Sequence, residues 1–215
     1  MKLFWSSRSP YVRKVMVIAH EVGVAHRLTI VPVTVKGTEI VEQIIAVNPF
    51  GKIPTLLLDD GTAIYDSPVI CEYLDGLHAG RRMFPAAREA RLQALQNQAI
   101  GDAMMDTLIV WLGETMRAQP DHSAPRIAVC RHKMAKALDR LEAAAPVLAA
   151  TPFDIGHAAI GTALSYMGFR FAPEGWRSGR PALAAWYDTF AARPSAKATE
   201  FYVETAAPVA ATAKG

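Results

Sequence analysis

The chain has 215 residues, 51% of them hydrophobic and 20% charged, with a net charge of +3. That is enough apolar material for one large core or two small ones, and its basic residues are interspersed with acids, which argues against a nucleic-acid surface. No apolar run reaches the ~18 residues of a membrane span, Arg8, Arg13 and Lys14 interrupt any signal-peptide core, and Cys71 and Cys130 form neither a disulfide framework nor a CxxC centre.

A cytoplasmic protein is therefore expected. "KLFW" (2–5) reads as a short strand, and the hydroxyl-rich turn "SSRSPY" hands it to a helix with Val12, Val15, Met16, Ala19 and Val22 at helical spacing. Gly23 ends that helix, and "LTIVPV" (28–33) is a second strand, placed at a sheet edge by Pro32. Strand, helix and strand make a βαβ unit with parallel strands. "EIVEQIIAV" (39–47) is expected to be a short amphipathic helix, and "TLLL" (55–58) with "TAIY" (62–65) a hairpin around Asp59-Asp60-Gly61. Ser67 as N-cap and Pro68 at the first helical position then open "VICEYLDGL". On its exposed side the first helix is expected to carry Arg13 and Lys14.

From about Arg88 the pattern is helical only: 89–117, 126–150, 155–167 and 181–193. The expected organisation is a first domain over 1–78, a linker over 79–87, a helical domain over 88–204 and a flexible tail over 205–215. Asp102 and Asp106, one turn apart, read as a solvated helix edge or cleft rim. In "DIGHAAIG", Asp154 is a helix cap and His157 its structural partner.

GxSxG, P-loop and GxGxxG patterns are missing, and the six histidines never fall at i, i+4 spacing. Three loops of the first domain remain. Ser9 stands at a helix N-terminus, where N–H groups favour negative charge, so it either caps the helix or donates to an anion. In "NPFGKIPTL" (48–56), Pro54 suits a cis turn that leaves the Ile53 backbone free, or simply starts a strand. Asp66-Ser67 offers an acid, a hydroxyl and helix N–H groups. Together they suit a zwitterionic peptide.

The element order, "SPYVRKVMVIAHEVG", "NPFGKIPTLLLDDG" and "YDSPVICEYLD", followed by an all-helical half, resemble the cytosolic glutathione S-transferases, of a bacterial, serine-type kind with a tau- or zeta-like first motif. The resemblance implies an α/β thioredoxin-like N-terminal domain, with a mixed four-stranded sheet of order 2-1-3-4 and a cis proline at Pro54, plus an all-α C-terminal domain. It implies glutathione as co-substrate and no prosthetic group. Ser9 matches the residue that stabilises the glutathione thiolate, Ile53 the one whose backbone pairs with the cysteinyl unit, and Lys52 lies beside it near the glycyl carboxylate. Asp66 and Ser67 match the pair that holds the γ-glutamyl end, with Asp66 one methylene shorter than the usual residue. The implied activity is conjugation of glutathione to an apolar electrophile, with Tyr11, Met105, Leu108 and Trp111 as candidate walls of the second pocket. A glutathione-dependent isomerase or peroxidase, or a non-catalytic binding protein, are the alternatives within the fold. A thiol-disulfide reductase would need a thiol where Ser9 stands. The family also implies a homodimer, with Phe50 as a candidate contact.

Overall fold

The computed structural model describes residues 1–35, 38–118 and 121–203; the tail expected over 205–215 lies outside them. The first unit runs β1 (Lys2–Trp5), α1 (Pro10–Glu21), β2 (Thr29–Pro32), α2 (Glu42–Ile45), β3 (Thr55–Leu57), β4 (Ala63–Ile64) and α3 (Ser67–Asp75). The four strands form one sheet in the order β2-β1-β3-β4. β1 pairs in parallel with β2, and β3 is antiparallel to both β1 and β4. Pro32 thus sits on an edge strand, where its missing N–H costs no ladder bond. Gly23, at φ +73°, follows α1 in the left-handed region that its lack of a Cβ makes accessible. The β3–β4 turn is held by the Thr62 N–H donating to Asp60 Oδ1 at 2.8 Å.

Two expected boundaries move. The helix expected over 39–47 is a single turn, Glu42–Ile45, because only Ile44 reaches the interior and Ile40 stands in solvent; one buried anchor stabilises little helix. The cap of α3 is Asp66 instead of Ser67, which is already helical and buried, and the Asp66 side chain makes no cap bond.

The second unit comprises α4 (Arg88–Thr115), α5 (Ala124–Ala150), α6 (Ile155–Arg170), α7 (Pro181–Ala191) and α8 (Pro194–Lys197). Its central helix is α6, buried from Ile155 to Met167 and packed most extensively on α4. Small residues allow that approach. A Cβ on Gly101 would lie 2.5 Å from the Ala159 carbonyl carbon, and one on Gly156 would lie 2.4 Å from Asn97 Cβ, both inside van der Waals contact. Asp154 caps α6: its Oδ1 accepts from the His157 N–H at 3.1 Å, and its own N–H donates to His157 Nδ1 at 3.3 Å. This reciprocal pair is the capping box that the sequence suggested.

The connection between the units is anchored. Asp75, at the end of α3, accepts from the Met83 N–H at 2.7 Å and the Phe84 N–H at 3.2 Å, and the Ile155 N–H donates to the Met83 carbonyl at 3.0 Å.

α1 lies between the units, with its sheet-facing side on one core and its other side on α4, α6 and α8. Arg13 and Lys14 are consequently buried, contrary to the expected polar face. The Lys14 Nζ donates to Asp102 Oδ1 at 2.6 Å. The Arg13 guanidinium donates to the Ala196 carbonyl at 3.2 Å and lies over the Phe201 ring at 4.6 Å; burial pulls its pKa down to about 10. At the far end of α1, Glu21 receives both Arg193 nitrogens, at 2.8 and 2.7 Å, and the Ser195 hydroxyl. Burial works to raise the Glu21 pKa, but these hydrogen bonds and the Arg193 charge outweigh it, so the carboxyl is lowered on balance.

A depressed folded pKa stabilises the protein above the unfolded carboxyl value, near pH 4.5, and that contribution disappears as pH falls through the folded value. Glu21→Gln is therefore expected to flatten the acid limb of a stability-versus-pH curve measured by urea unfolding. An unchanged slope below about pH 4.5 would contradict the assignment.

Candidate functional site

Strand register brings the three singled-out loops to one end of the sheet. Phe4 stands opposite Thr55, and Leu56 opposite Ile64. The residues just after β1, just before β3 and just after β4 are therefore neighbours, and these are the segments carrying Ser9, Lys52-Ile53-Pro54 and Asp66-Ser67. α1 and α3 both begin at that end, so two helix N-termini contribute partial positive charge.

The first loop divides its hydroxyls among three tasks. The Ser6 Oγ accepts from the Arg8 N–H at 3.4 Å, the Ser9 N–H donates to the Ser6 carbonyl at 3.2 Å, and the Ser7 hydroxyl donates to the Tyr202 carbonyl at 2.9 Å. Ser9 is the N-cap of α1, its Oγ accepting from the Val12 N–H at 3.3 Å. A hydroxyl has two acceptor sites and one donor. Capping uses one acceptor site and leaves the proton uncommitted, so cap and thiolate donor are compatible roles for Ser9.

Tyr11 differs. Its hydroxyl donates to the Asp106 carboxylate, and burial first, then that bond and the Asp106 charge, push its pKa up. It is a phenol whose proton is spoken for. Asp102 is likewise engaged, by Lys14; burial raises its carboxyl pKa and the Lys14 charge opposes the rise. The pair expected at a solvated helix edge or cleft rim is exposed at Asp106 and half-buried at Asp102, and both carboxylates also contact α1.

The second loop is braced from within. Buried Asn48 donates from Nδ2 to Thr55 Oγ1 at 2.9 Å and to the Lys52 carbonyl at 3.2 Å, and its Oδ1 accepts from the Phe50 N–H at 3.1 Å. Asn48 positions this loop, a role that the sequence patterns did not assign to it; its place before a proline-glycine loop was the available signal. The Ile53–Pro54 bond is cis. Ile53 makes no backbone hydrogen bond to other described residues, so its N–H and carbonyl are available to an extended peptide. Lys52 is exposed and without an ion pair among the described residues. In the third loop Asp66 is exposed with its carboxylate not used in capping, and Ser67 is buried against α3.

The expected second-pocket wall is not assembled. Met105, Leu108 and Trp111 are all buried, at 2% exposure or less, in the core that α4 shares with α5 and α6. They lie on the inward stripe of α4, so only Tyr11 of the four is partly exposed.

A thioredoxin-like sheet followed by a helical bundle defines the class of protein. Residues 8–77 match the glutathione S-transferase N-terminal domain family and residues 108–189 the C-terminal domain family. The chain belongs to the glutathione S-transferase family. It is 30% identical over 202 residues to an uncharacterized GST-like protein, YibF, of Escherichia coli, spanning 93% of this chain and 98% of that one. A glutathione transferase family member from Pseudomonas fluorescens Pf-5, solved with glutathione bound, is 39% identical, with a TM-score of 0.90 over 94% of this chain and 99% of that one; the Pf-5 family member was also solved with S-(propanoic acid)-glutathione. A glutathione S-transferase from Methylobacillus flagellatus with glutathione bound is 30% identical, with a TM-score of 0.83 over 94% of this chain and 99% of that one.

Proposed function

We propose that the protein is a glutathione transferase that holds glutathione as its thiolate at Ser9 and joins it to a small electrophile. The observation that carries this reading is the convergence of Ser9, the unpaired Ile53 backbone and the uncapped Asp66-Ser67 terminus at one end of the sheet. In this reading the Ile53 backbone pairs with the cysteinyl unit, cis Pro54 shapes that turn, Lys52 faces the glycyl carboxylate, and Asp66 with Ser67 holds the γ-glutamyl end. The Pf-5 relative's adduct, a thioether of glutathione, supports carbon–sulfur bond formation as the chemistry. The acceptor expected from the sequence was apolar; with Met105, Leu108 and Trp111 in the core, that expectation loses the residues it rested on.

A free thiol has a pKa of about 8.5 and the thiolate is the nucleophile. Lowering the pKa by about two units means stabilising the thiolate by about 2.7 kcal/mol. One hydrogen bond to a charged group contributes about 1.5–3 kcal/mol, and a helix N-terminus about 0.3–1 kcal/mol more. Ser9 at the start of α1 is of the right size. Retention on immobilised glutathione, together with turnover of a chloronitroaryl acceptor, tests the reading; a protein that is neither retained nor active would be a binding scaffold on this fold.

Exposed Phe50 at the tip of the second loop, with Val69 on α3 and Leu92 on α4, supports a homodimer joined along these elements. Sedimentation at the mass of one chain at micromolar concentration would overturn that. The two cysteines are free and buried, with burial pushing Cys71 up to about 12; free thiols are in keeping with a cytoplasmic setting.

A further inference from the structure

The chain beyond α7 runs back along α1. Ser195, on α8, donates to Glu21 at the end of α1; the Ala196 carbonyl accepts from Arg13 Nη2 at 3.2 Å, on the first turn; and the Tyr202 carbonyl accepts from the Ser7 hydroxyl at 2.9 Å, before the helix begins. As the residue numbers of this segment rise, those of its partners fall. Residues 195–202 therefore lie antiparallel along α1 and end against the loop that carries Ser9.

That end is held from both units. Phe201 stacks on Phe169 of α6, with ring centroids 5.3 Å apart and 15° between the planes, meets the Tyr166 ring edge-on at 5.3 Å, and lies under the Arg13 guanidinium at 4.6 Å. Tyr202 meets the ring of Trp5, the last residue of β1, at 6.1 Å. Two successive residues thus join α6 to the junction between β1 and α1.

The loop at that junction is short. Ser6 to Ser9 form one turn, closed by the Ser9 N–H donating to the Ser6 carbonyl at 3.2 Å and by the Arg8 N–H donating to Ser6 Oγ at 3.4 Å. Ser7 is a central residue of this turn and is buried. Its bond to Tyr202 limits where the turn, and Ser9 at its end, can go. The other two loops are set by different contacts, one by Asn48 and one by the start of α3.

We infer that Phe201 and Tyr202 position Ser9, acting through Ser7 to aim the Ser9 hydroxyl at the thiolate sulfur. The inference rests on the glutathione transferase reading above. A hydrogen bond weakens steeply with angle and distance, and a donor set in place beforehand needs no reorganisation when charge develops on its acceptor. A misplacement of about 1 Å at a reacting centre can lower a rate about a hundredfold. The cap bond to the Val12 N–H sets the Ser9 rotamer, and the tie from Ser7 to Tyr202 sets the backbone that carries it.

Phe201→Ala removes the anchor on α6, and Ser7→Ala removes the bond at the other end. Each is expected to lower kcat with 1-chloro-2,4-dinitrobenzene at pH 7 by about three- to tenfold and to raise the pKa of the bound thiol by about half a unit to one unit. The KM for glutathione should change little, because the peptide's remaining contacts lie on the other two loops. Ser7→Thr keeps the hydroxyl and should retain the wild-type titration. In a Ser9→Ala background neither change should move the thiol further, since both act through the Ser9 hydroxyl. Thiol titrations unmoved in both variants, or shifts of full size that persist without the Ser9 hydroxyl, would overturn the inference. So would a loss carried wholly by the KM for glutathione.

Amide hydrogen exchange in the unliganded protein reads the tie without turnover: the Ser9 N–H is expected to exchange about tenfold faster in both variants. If the wild type conjugates glutathione while exchange and titration stay unmoved in the variants, the positioning role is wrong and the transferase reading stands. A wild type that neither retains glutathione nor turns over the acceptor overturns the transferase reading, and the positioning role falls with it whether or not exchange quickens.

Discussion

Ser9→Ala is expected to lower kcat/KM for glutathione conjugation at pH 7 by about tenfold to a hundredfold, the loss of one hydrogen bond to a charged sulfur. The apparent pKa of the bound thiol, followed by its ultraviolet absorbance, should rise by about one to two units, so activity should recover as the pH is raised. The same change removes the cap on the Val12 N–H and costs about 1 kcal/mol of stability. Ser9→Thr keeps a hydroxyl and should restore both, whereas Ser9→Asp, with an acceptor-only side chain, should restore the cap alone and so separates the two effects. A Ser9→Ala protein with full activity at neutral pH and an unmoved thiol titration would leave Ser9 only as a cap.

Half of that proposed dual role was legible in the sequence. A serine before a proline at a strand–helix junction announces an N-cap, which depends on neighbours a few residues away, whereas the proposed peptide site joins three loops that only the sheet brings together. The edge position of β2 was legible in Pro32, a local signal, whereas the sheet order came only with the family resemblance, because local signals do not say which strands lie side by side. Arg13 and Lys14 were misread because periodicity reports that one face of α1 is apolar and says nothing about what covers the other. Their partners lie on α4, on α8 and beyond, 88 positions away for Asp102 and 183 for Ala196. Met105, Leu108 and Trp111 failed in the converse way. Their spacing marks an apolar stripe on α4, and only packing decides whether such a stripe lines a cleft or fills a core; α5 and α6 fill this one.

The Lys14–Asp102 pair carries the second large effect. Lys14 is fully buried, whereas Asp102 retains 23% side-chain exposure. Asp102→Ala strands an ammonium group between two domains with no counter-charge, and breaking such a pair costs about 3–5 kcal/mol, or a fall in melting temperature on the order of 10 °C for a chain of this size. Lys14→Met should cost less, because the remaining carboxyl reaches water at its edge and burial already favours its protonated form. The double variant Lys14→Met, Asp102→Leu should recover stability relative to Asp102→Ala alone, since no uncompensated charge remains. Equal losses for the two single variants, read by thermal unfolding, would mean that the junction is wetter than its geometry indicates.

The glycine contacts between α4 and α6 bear on how relatives of this protein diverge. With Gly101 against Ala159 and Gly156 against Asn97, the two helices have no room for side-chain growth, so this seam is closed to drift by bulk. Sequence change is therefore expected to collect away from it, in the surface loops and along the 198–203 segment that Ser7 ties to the first loop. A lineage can vary those surfaces while the seam that fixes the two helices stays as it is.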